Sequence, residues 1–264
     1  MSRAGALRLV PALLTALLAA GAARAENPVV RFSTPLGIWQ VELCAEVSDR
    51  CAGAAPNTVA NFLSYLEAGD YVGTFIHRSV FAPVPFVVQG GTWWVRGVDE
   101  AGPIIGRIDT AGKEIENEFN QPNVRGTVSV TLAGNPADPD SGTSGWFINL
   151  VDNSPLLDPQ LFTVFGVVIG DGMEVVDRIS ALLHLRLGLT DPNMPGEGTP
   201  VAPGFQCNPD DNGDCTSDPV PYLVYTAIPE PGAAAGGAAA LAALAALGRG
   251  ARPRAGRRGR RPGR

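Results

Sequence analysis

Between residues 29 and 227 the apolar side chains recur in short runs with a period of two, broken by glycine, proline and aspartate. This alternation most narrows what the chain can fold into, because a period of two buries one face of a strand and leaves the other wet. In "IWQVELC", Trp39, Val41 and Leu43 alternate with Gln40 and Glu42, so the first three are expected inward and the last two outward. Further strands are expected at "VVRFST", "FIHRSV", "FVVQGG", "GTVSVTLA", "SGWFINL", "TVFGVVIG" and "VPYLVYTA". Two stretches keep helical spacing instead. In "APNTVANFLSYLEAGDY", Pro56 suits a first turn, Val59, Phe62, Leu63 and Leu66 form a stripe, and Gly69 supplies the stop. A second helix opens at Asp171 with Glu174 placed for a capping box, and Val175, Ile179, Leu182 and Leu183 line one face. Residues 184–219, rich in Pro, Gly and Asp, read as one long loop. Many short strands and two helices predict a mainly β domain over 26–227: a closed antiparallel eight-stranded barrel capped by two α-helices.

The two ends carry different signals. Arg3 and Arg8 precede the apolar "LVPALLTALLAA", and "ARA" ending at Ala25 offers small residues for cleavage, so residues 1–25 read as a secretory signal peptide. At the other end "IPEP" (228–231) is followed by "GAAAGGAAALAALAALG" and an arginine-rich tail. This tripartite arrangement resembles the PEP-CTERM sorting signal. The resemblance implies processing by an exosortase-type protease near Pro229, Glu230 and Pro231. It also implies at least transient anchoring in the inner membrane through the apolar segment, and a periplasmic or cell-surface location in a Gram-negative bacterium. Between the signals, residues 26–231 keep nine basic residues against all 26 acids, a net charge of −17. So acidic a domain repels phosphate backbones, which excludes nucleic acid as a partner. Cys44, Cys51, Cys207 and Cys215 fall in two local pairs without C-x-x-C spacing, read as the disulfides Cys44–Cys51 and Cys207–Cys215 of an exported protein. No metal is expected: Asp210, Asn212 and Asp214 alternate as in a calcium loop, but Cys215 stands where glycine belongs and Pro221 where the bidentate glutamate does.

"TFIHRSVFAPVPFVVQGG" (74–91) sets an arginine and a glutamine among aromatic and aliphatic residues. With "APNTVANFLSYLEAGDYVGTFIHR", "FVVQGG", "RGTVSVTLA", "SGWFINLVDNSPLLD" and "TVFGVVIGDGMEVVDRI" in the same order, the chain resembles the cyclophilins, peptidyl-prolyl cis–trans isomerases. The resemblance covers about 29–183 and the last strand. It implies that Arg78 donates to the prolyl nitrogen, that Gln89 orients Arg78 and binds substrate backbone, and that Phe86, Phe147 and Leu157 form the proline pocket. Val87 stands where relatives often carry methionine, Phe162 at the pocket's rim where several carry histidine, and His77 supports the site without acting as a base. No cofactor is required. The chemistry agrees: rotation about X–Pro faces a barrier of ~18–20 kcal/mol from amide resonance. A donor that engages the nitrogen as resonance is lost acts in the transition state and so raises rate.

The partners implied are proline-containing segments of exported proteins, whose folding the enzyme assists. The alternative is a catalytically weak binding module of the same fold, displayed on the cell surface or in the matrix. Seven residues, "SVFAPVP", separate Arg78 from Phe86, about three more than is common in relatives. Gly145 occupies the place of a substrate-contacting glutamine, from which weaker peptide affinity is expected. Leu156 occupies that of a tryptophan that binds cyclosporin, from which weak inhibition is expected. Trp93 and Trp94 begin an insert (92–113) placed to extend the groove.

Overall fold

The alternation in the N-terminal runs becomes a hairpin. Strands β1 (Val29–Thr34) and β2 (Gly37–Leu43) pair antiparallel, setting Phe32 opposite Trp39 and Val30 opposite Val41. The computed structural model describes residues 26–80, 84–99, 102–185, 197–203 and 222–230. The signal segment at 1–25, the Cys207–Cys215 pair and the Ala-rich and Arg-rich tail lie outside the described residues.

The chain then forms α1 (Pro56–Ala68), β3 (Arg78–Val80), β4 (Val87–Gly90) and a separate hairpin of β5 (Trp93–Asp99) and β6 (Gly102–Arg107). After these come β7 (Thr127–Val130), β8 (Trp146–Asn149), the single-turn α2 (Ser154–Leu157), β9 (Val164–Ile169) and α3 (Gly172–Ser180). Strands β10 (His184–Leu185), β11 (Glu197–Pro200) and β12 (Thr226–Pro229) complete the described fold. The main sheet runs β10–β11–β3–β4–β8–β7–β9–β2–β1–β12, ten strands.

The mainly β reading holds, but the closed eight-stranded barrel with two helices is corrected on three points. The main sheet has ten strands because residues expected as one long loop, 184–219, supply β10 and β11, and β11 pairs along β3. Strands of two and four residues with no alternating pattern leave no periodic signal to read. The named strands do not close into a ring. Residues 74–77 send successive amides to four places (Thr74 to Tyr71, Phe75 to Trp93, Ile76 to Leu223 and His77 to Gln89), so no continuous ladder forms there. The flanks of the sheet meet through an isolated bridge, Phe75 to Val224. Finally, α2 is a third helix.

The inner face of the sheet holds the core, with α1 and α3 packed onto it. Phe32 stacks on Trp39 with centroids 5.1 Å apart, and Trp146 meets Phe32 edge-on at 5.3 Å. Trp39, Val41 and Leu43 are buried as the alternation requires, each such side chain contributing roughly 1.5–3 kcal/mol. The helix signals hold for α1, which starts with Pro56 and ends at Gly69 with φ 76°. Its N-terminus is capped from a distance: both carboxylate oxygens of Glu118 accept, from the amides of Asn57 (3.0 Å) and Thr58 (2.7 Å).

Three local expectations are corrected. Asp171 is the N-cap of α3, but its side chain makes no capping bond, so the box with Glu174 does not form. Leu183, past the helix end, is half exposed. Glu42, expected outward, is buried and accepts from Asn27 (3.1 Å), Ser48 (2.7 Å) and Arg50 (3.0 Å). Burial alone would raise its carboxyl, but these donors outweigh it and hold the pKa below its ordinary value. The loop bearing Ser48 and Arg50 is pinned by the Cys44–Cys51 disulfide, as expected from the sequence.

Candidate functional site

Register across four neighbouring strands builds the site. Arg78 on β3 lies opposite Gln89 on β4, Gln89 opposite Phe147 on β8, and Phe147 opposite Ser129 on β7. One residue along, Ser79, Val88, Ile148 and Val128 form the next row, and Val88, Ile148 and Val128 belong to the inner core. Because side chains alternate, the Arg78–Gln89–Phe147 row faces outward. The structure therefore brings the cation, the amide and the aromatic wall together on one outer surface. Arg78 Nη1 donates to Gln89 Oε1 at 2.9 Å, which fixes the direction of the guanidinium.

Beside that row lies a second, smaller apolar cluster: Val80, Val87, Phe147 and Leu157, with Phe86 and Phe162 packed against it. Phe147 and Phe162 meet edge-to-face, centroids 5.6 Å apart at 73°. Of the pocket residues expected from sequence, Phe86, Val87, Phe147, Leu157 and Phe162 all join this cluster. Leu156, next to Leu157 on α2, lies outside this cluster and is 63% exposed.

His77 is buried on the other side of the β3 segment. Its amide donates to Gln89 O and its carbonyl accepts from Thr199 Oγ1 at 2.7 Å, so it ties β4 and β11 to the strand bearing Arg78. Burial, helped by the nearby Arg78 and Arg107 guanidinium groups, pushes its imidazole down to about 3. It is neutral at physiological pH.

The glycine pair after Gln89 is a consequence of the Trp146 indole. A Cβ at Gly90 would lie 2.7 Å from Trp146 Cζ2, and Gly91 adopts φ 78° with Ser144 O 2.5 Å from where its Cβ would be. Gly145 is explained the same way, since a Cβ there would collide with Thr131 Oγ1. Trp93 and Trp94 belong to the β5–β6 hairpin and do not join the apolar cluster. The Arg107 guanidinium covers Trp93 at 5.1 Å and that of Arg96 covers Trp94 at 4.7 Å.

Sequence reasoning missed a buried amide network under the pocket. Asn153 Nδ2 donates to Phe86 O (2.9 Å) and to Asn149 Oδ1 (2.8 Å). Asn149 Nδ2 donates to Thr127 Oγ1 (2.9 Å) and Asn123 Oδ1 (3.3 Å), and Asn123 Nδ2 donates to Phe162 O (2.9 Å) and Asp158 Oδ1 (2.9 Å). The available signal was "FINLVDN", an asparagine on the outward face of an apolar strand followed by another four residues later. A separate cleft of about 730 Å³ lies between Pro85, Leu150 and the end of α3, and none of the sequence-predicted site residues lines it. Among the described residues no cluster of His, Cys, Asp and Glu could hold a metal.

Residues 48–193 match the family model described as "Cyclophilin type peptidyl-prolyl cis-trans isomerase/CLD". A peptidyl-prolyl cis-trans isomerase of Acinetobacter baylyi is 34% identical over 179 residues, covering 66% of this chain and 82% of that one. Peptidyl-prolyl cis-trans isomerase B of Escherichia coli is 37% identical over 144 residues, covering 51% and 77%. Among solved structures, a Cryptosporidium parvum cyclophilin type isomerase aligns with a TM-score of 0.45 at 18% identity, covering 78% of this chain and 99% of that one. By its match to the family model and the length it shares with the two bacterial relatives, the chain belongs to the cyclophilin-type peptidyl-prolyl cis–trans isomerases and is an enzyme of that activity.

Proposed function

We propose that this isomerase acts on X–Pro bonds of exported proteins, with Arg78 as the donor to the prolyl nitrogen. The observation that carries this assignment is the outward row of Arg78, Gln89 and Phe147 beside the Phe86–Leu157–Phe162 cluster. The proline ring packs on Phe147 between Phe86, Leu157 and Phe162, with Val87 at the floor. Gln89 Oε1 accepts from Arg78 Nη1 and so orients the guanidinium beside the apolar cluster. As the bond twists, nitrogen regains its lone pair and becomes an acceptor. The guanidinium then gains a hydrogen bond that the planar ground state cannot make, and the barrier falls. No proton is transferred and no covalent bond is formed.

Export is supported by the charged and apolar pattern of residues 1–25, by the tripartite C-terminal string and by the Cys44–Cys51 disulfide, which suits an oxidising compartment. We assign the C-terminal segment the role of a sorting signal that holds the enzyme at the inner membrane until an exosortase-type protease releases it. The described sheet leads directly into it, since β12 ends at Pro229 and Glu230 Oε1 accepts from Gln40 Nε2 at 3.3 Å. Among the described residues no helix is long and apolar enough to cross a membrane.

The test is isomerisation of a short X–Pro peptide by the purified protein and by Arg78→Ala. Loss of one preorganised donor is expected to lower kcat/KM by about 10²–10³. An Arg78→Ala variant as active as the wild type refutes the assignment. Export is tested separately, by following the protein to the periplasm with and without residues 1–25; equal periplasmic levels refute it.

A further inference from the structure

The two aromatic walls of the pocket come from different parts of the chain. Phe86 ends the segment between β3 and β4, and Phe162 lies just after the short turn Asp158–Gln160. Neither wall stands in the register row that places Arg78, Gln89 and Phe147. What joins them is the chain of amides beneath Phe147: Phe86 O to Asn153, Asn153 to Asn149, Asn149 to Asn123, and Asn123 to Phe162 O. Asn123 and Asn149 are fully buried and Asn153 is 3% exposed. Phe86 N also donates to Val80 O and Leu150 N to Phe86 O, but those bonds tie Phe86 to β3 and to the end of β8 and not to the opposite wall.

Resting on the site assignment above, we infer that Asn153 is a positioning residue of the isomerase. Through its paired donations it sets the place of Phe86 relative to Phe162, and hence the place of the bound proline relative to Arg78. The amide geometry is specific to this task. One NH2 group reaches two acceptors, the Phe86 carbonyl and the Asn149 side chain, and its backbone amide adds a third bond, to Asn123 O at 2.9 Å. Asn153 is also the N-cap of α2, yet its side chain makes no capping bond. The side chain is committed to the pocket and not to the helix. Asn153 touches no substrate atom; it acts through Phe86.

This separates its two effects. Loss of a buried hydrogen-bonded amide lowers stability wherever it occurs. Misplacement of the proline relative to Arg78 lowers kcat, because the donation from Arg78 is made only in the transition state. The second effect requires the Phe86 ring, and the first does not.

The experiment measures kcat/KM and Tm for wild type, Asn153→Ala, Phe86→Ala and the double variant, at a temperature where all are folded, with Arg78→Ala as the control. The expected result is a loss of about 10- to 100-fold for Asn153→Ala in the wild-type background. In the Phe86→Ala background the further loss should shrink to less than threefold while the drop in Tm persists. Should Asn153→Ala not fold, Asn153→Asp carries the same test: it keeps the volume but sets an acceptor against two acceptors. Equal fold-losses in both backgrounds, or full activity in a folded Asn153 variant, overturn the inference and leave the Arg78 assignment standing. Insensitivity to Arg78→Ala overturns that assignment and the inference with it.

Discussion

His77 makes the stability of this fold depend on pH in a way that its own substitution should remove. It is 3% exposed, immediately precedes Arg78, and its imidazole is pushed down from 6.5 to about 3 by burial and by the Arg78 and Arg107 guanidinium groups. The unfolded chain binds a proton at this residue near pH 6.5, whereas the native state does not until about pH 3. The native value lies below the unfolded one. For a histidine this means that stability is full above pH 6.5 and is lost as pH falls, at about 1.4 kcal/mol per unit. At pH 5 the loss is about 2 kcal/mol, and near pH 3 it approaches about 5 kcal/mol, a large share of an ordinary domain's ~5–15 kcal/mol. The assay is urea unfolding of wild type and His77→Gln from pH 8 to 4.5. Carboxylates such as Glu42, whose native pKa is also lowered, weaken both proteins alike in acid, so they cancel in the difference. The wild type should lose about 2 kcal/mol more than the variant between pH 7.5 and 5. Parallel curves would refute the reasoning. Activity is expected to follow a different course: the proposed reaction transfers no proton, so kcat/KM stays flat until unfolding begins.

Two further perturbations test the parts of the structure that frame the site. Cys44→Ser opens the eight-residue loop closed with Cys51 and should lower stability by roughly 2–3 kcal/mol, with the gap to wild type vanishing in reductant; a gap that persists in reductant contradicts this account. Gly145→Gln places a Cβ against Thr131 Oγ1 and should lower Tm, while the added Thr131→Ala should recover most of the loss. Additive effects of the two changes would show that the collision does not decide the identity of residue 145.

How far the sequence could be read depends on whether the governing contact is local. The hairpin of β1 and β2, the span of α1 between Pro56 and Gly69, and the burial of Trp39, Val41 and Leu43 follow from periodicity and from residues with fixed backbone preferences. Arg78, Gln89 and Phe147 were legible through a family resemblance in strings whose spacing survives folding. What was not legible depends on partners far along the chain. Glu42 reads as an exposed strand glutamate until the disulfide loop delivers Ser48 and Arg50 to it. The cap of α1 comes from Glu118, about 60 residues away, and β11 is a strand because β3 offers it an edge. The Asn153–Asn149–Asn123 chain is the same case, for an asparagine after an apolar strand reads as a turn residue until the atoms it satisfies are known.

The alternation that made the strands readable also separates the site from the core. In β8 the side chains of Trp146 and Ile148 enter the core, while Phe147 and Asn149 face the outer surface. One strand thus serves two packed regions that share a backbone but few side-chain contacts. Changes on the inner face are absorbed there. The bulk of Trp146 is met by Gly90 and Gly91 on the neighbouring strand, and the approach of Thr131 by Gly145. The Arg78–Gln89 bond and the Phe147–Phe162 contact are formed all the same. Phe86 on the outer face is held by its own bonds. Its amide donates to Val80 O, and its carbonyl accepts from Leu150 N and Asn153 Nδ2. Three bonds at one residue fix this wall of the pocket.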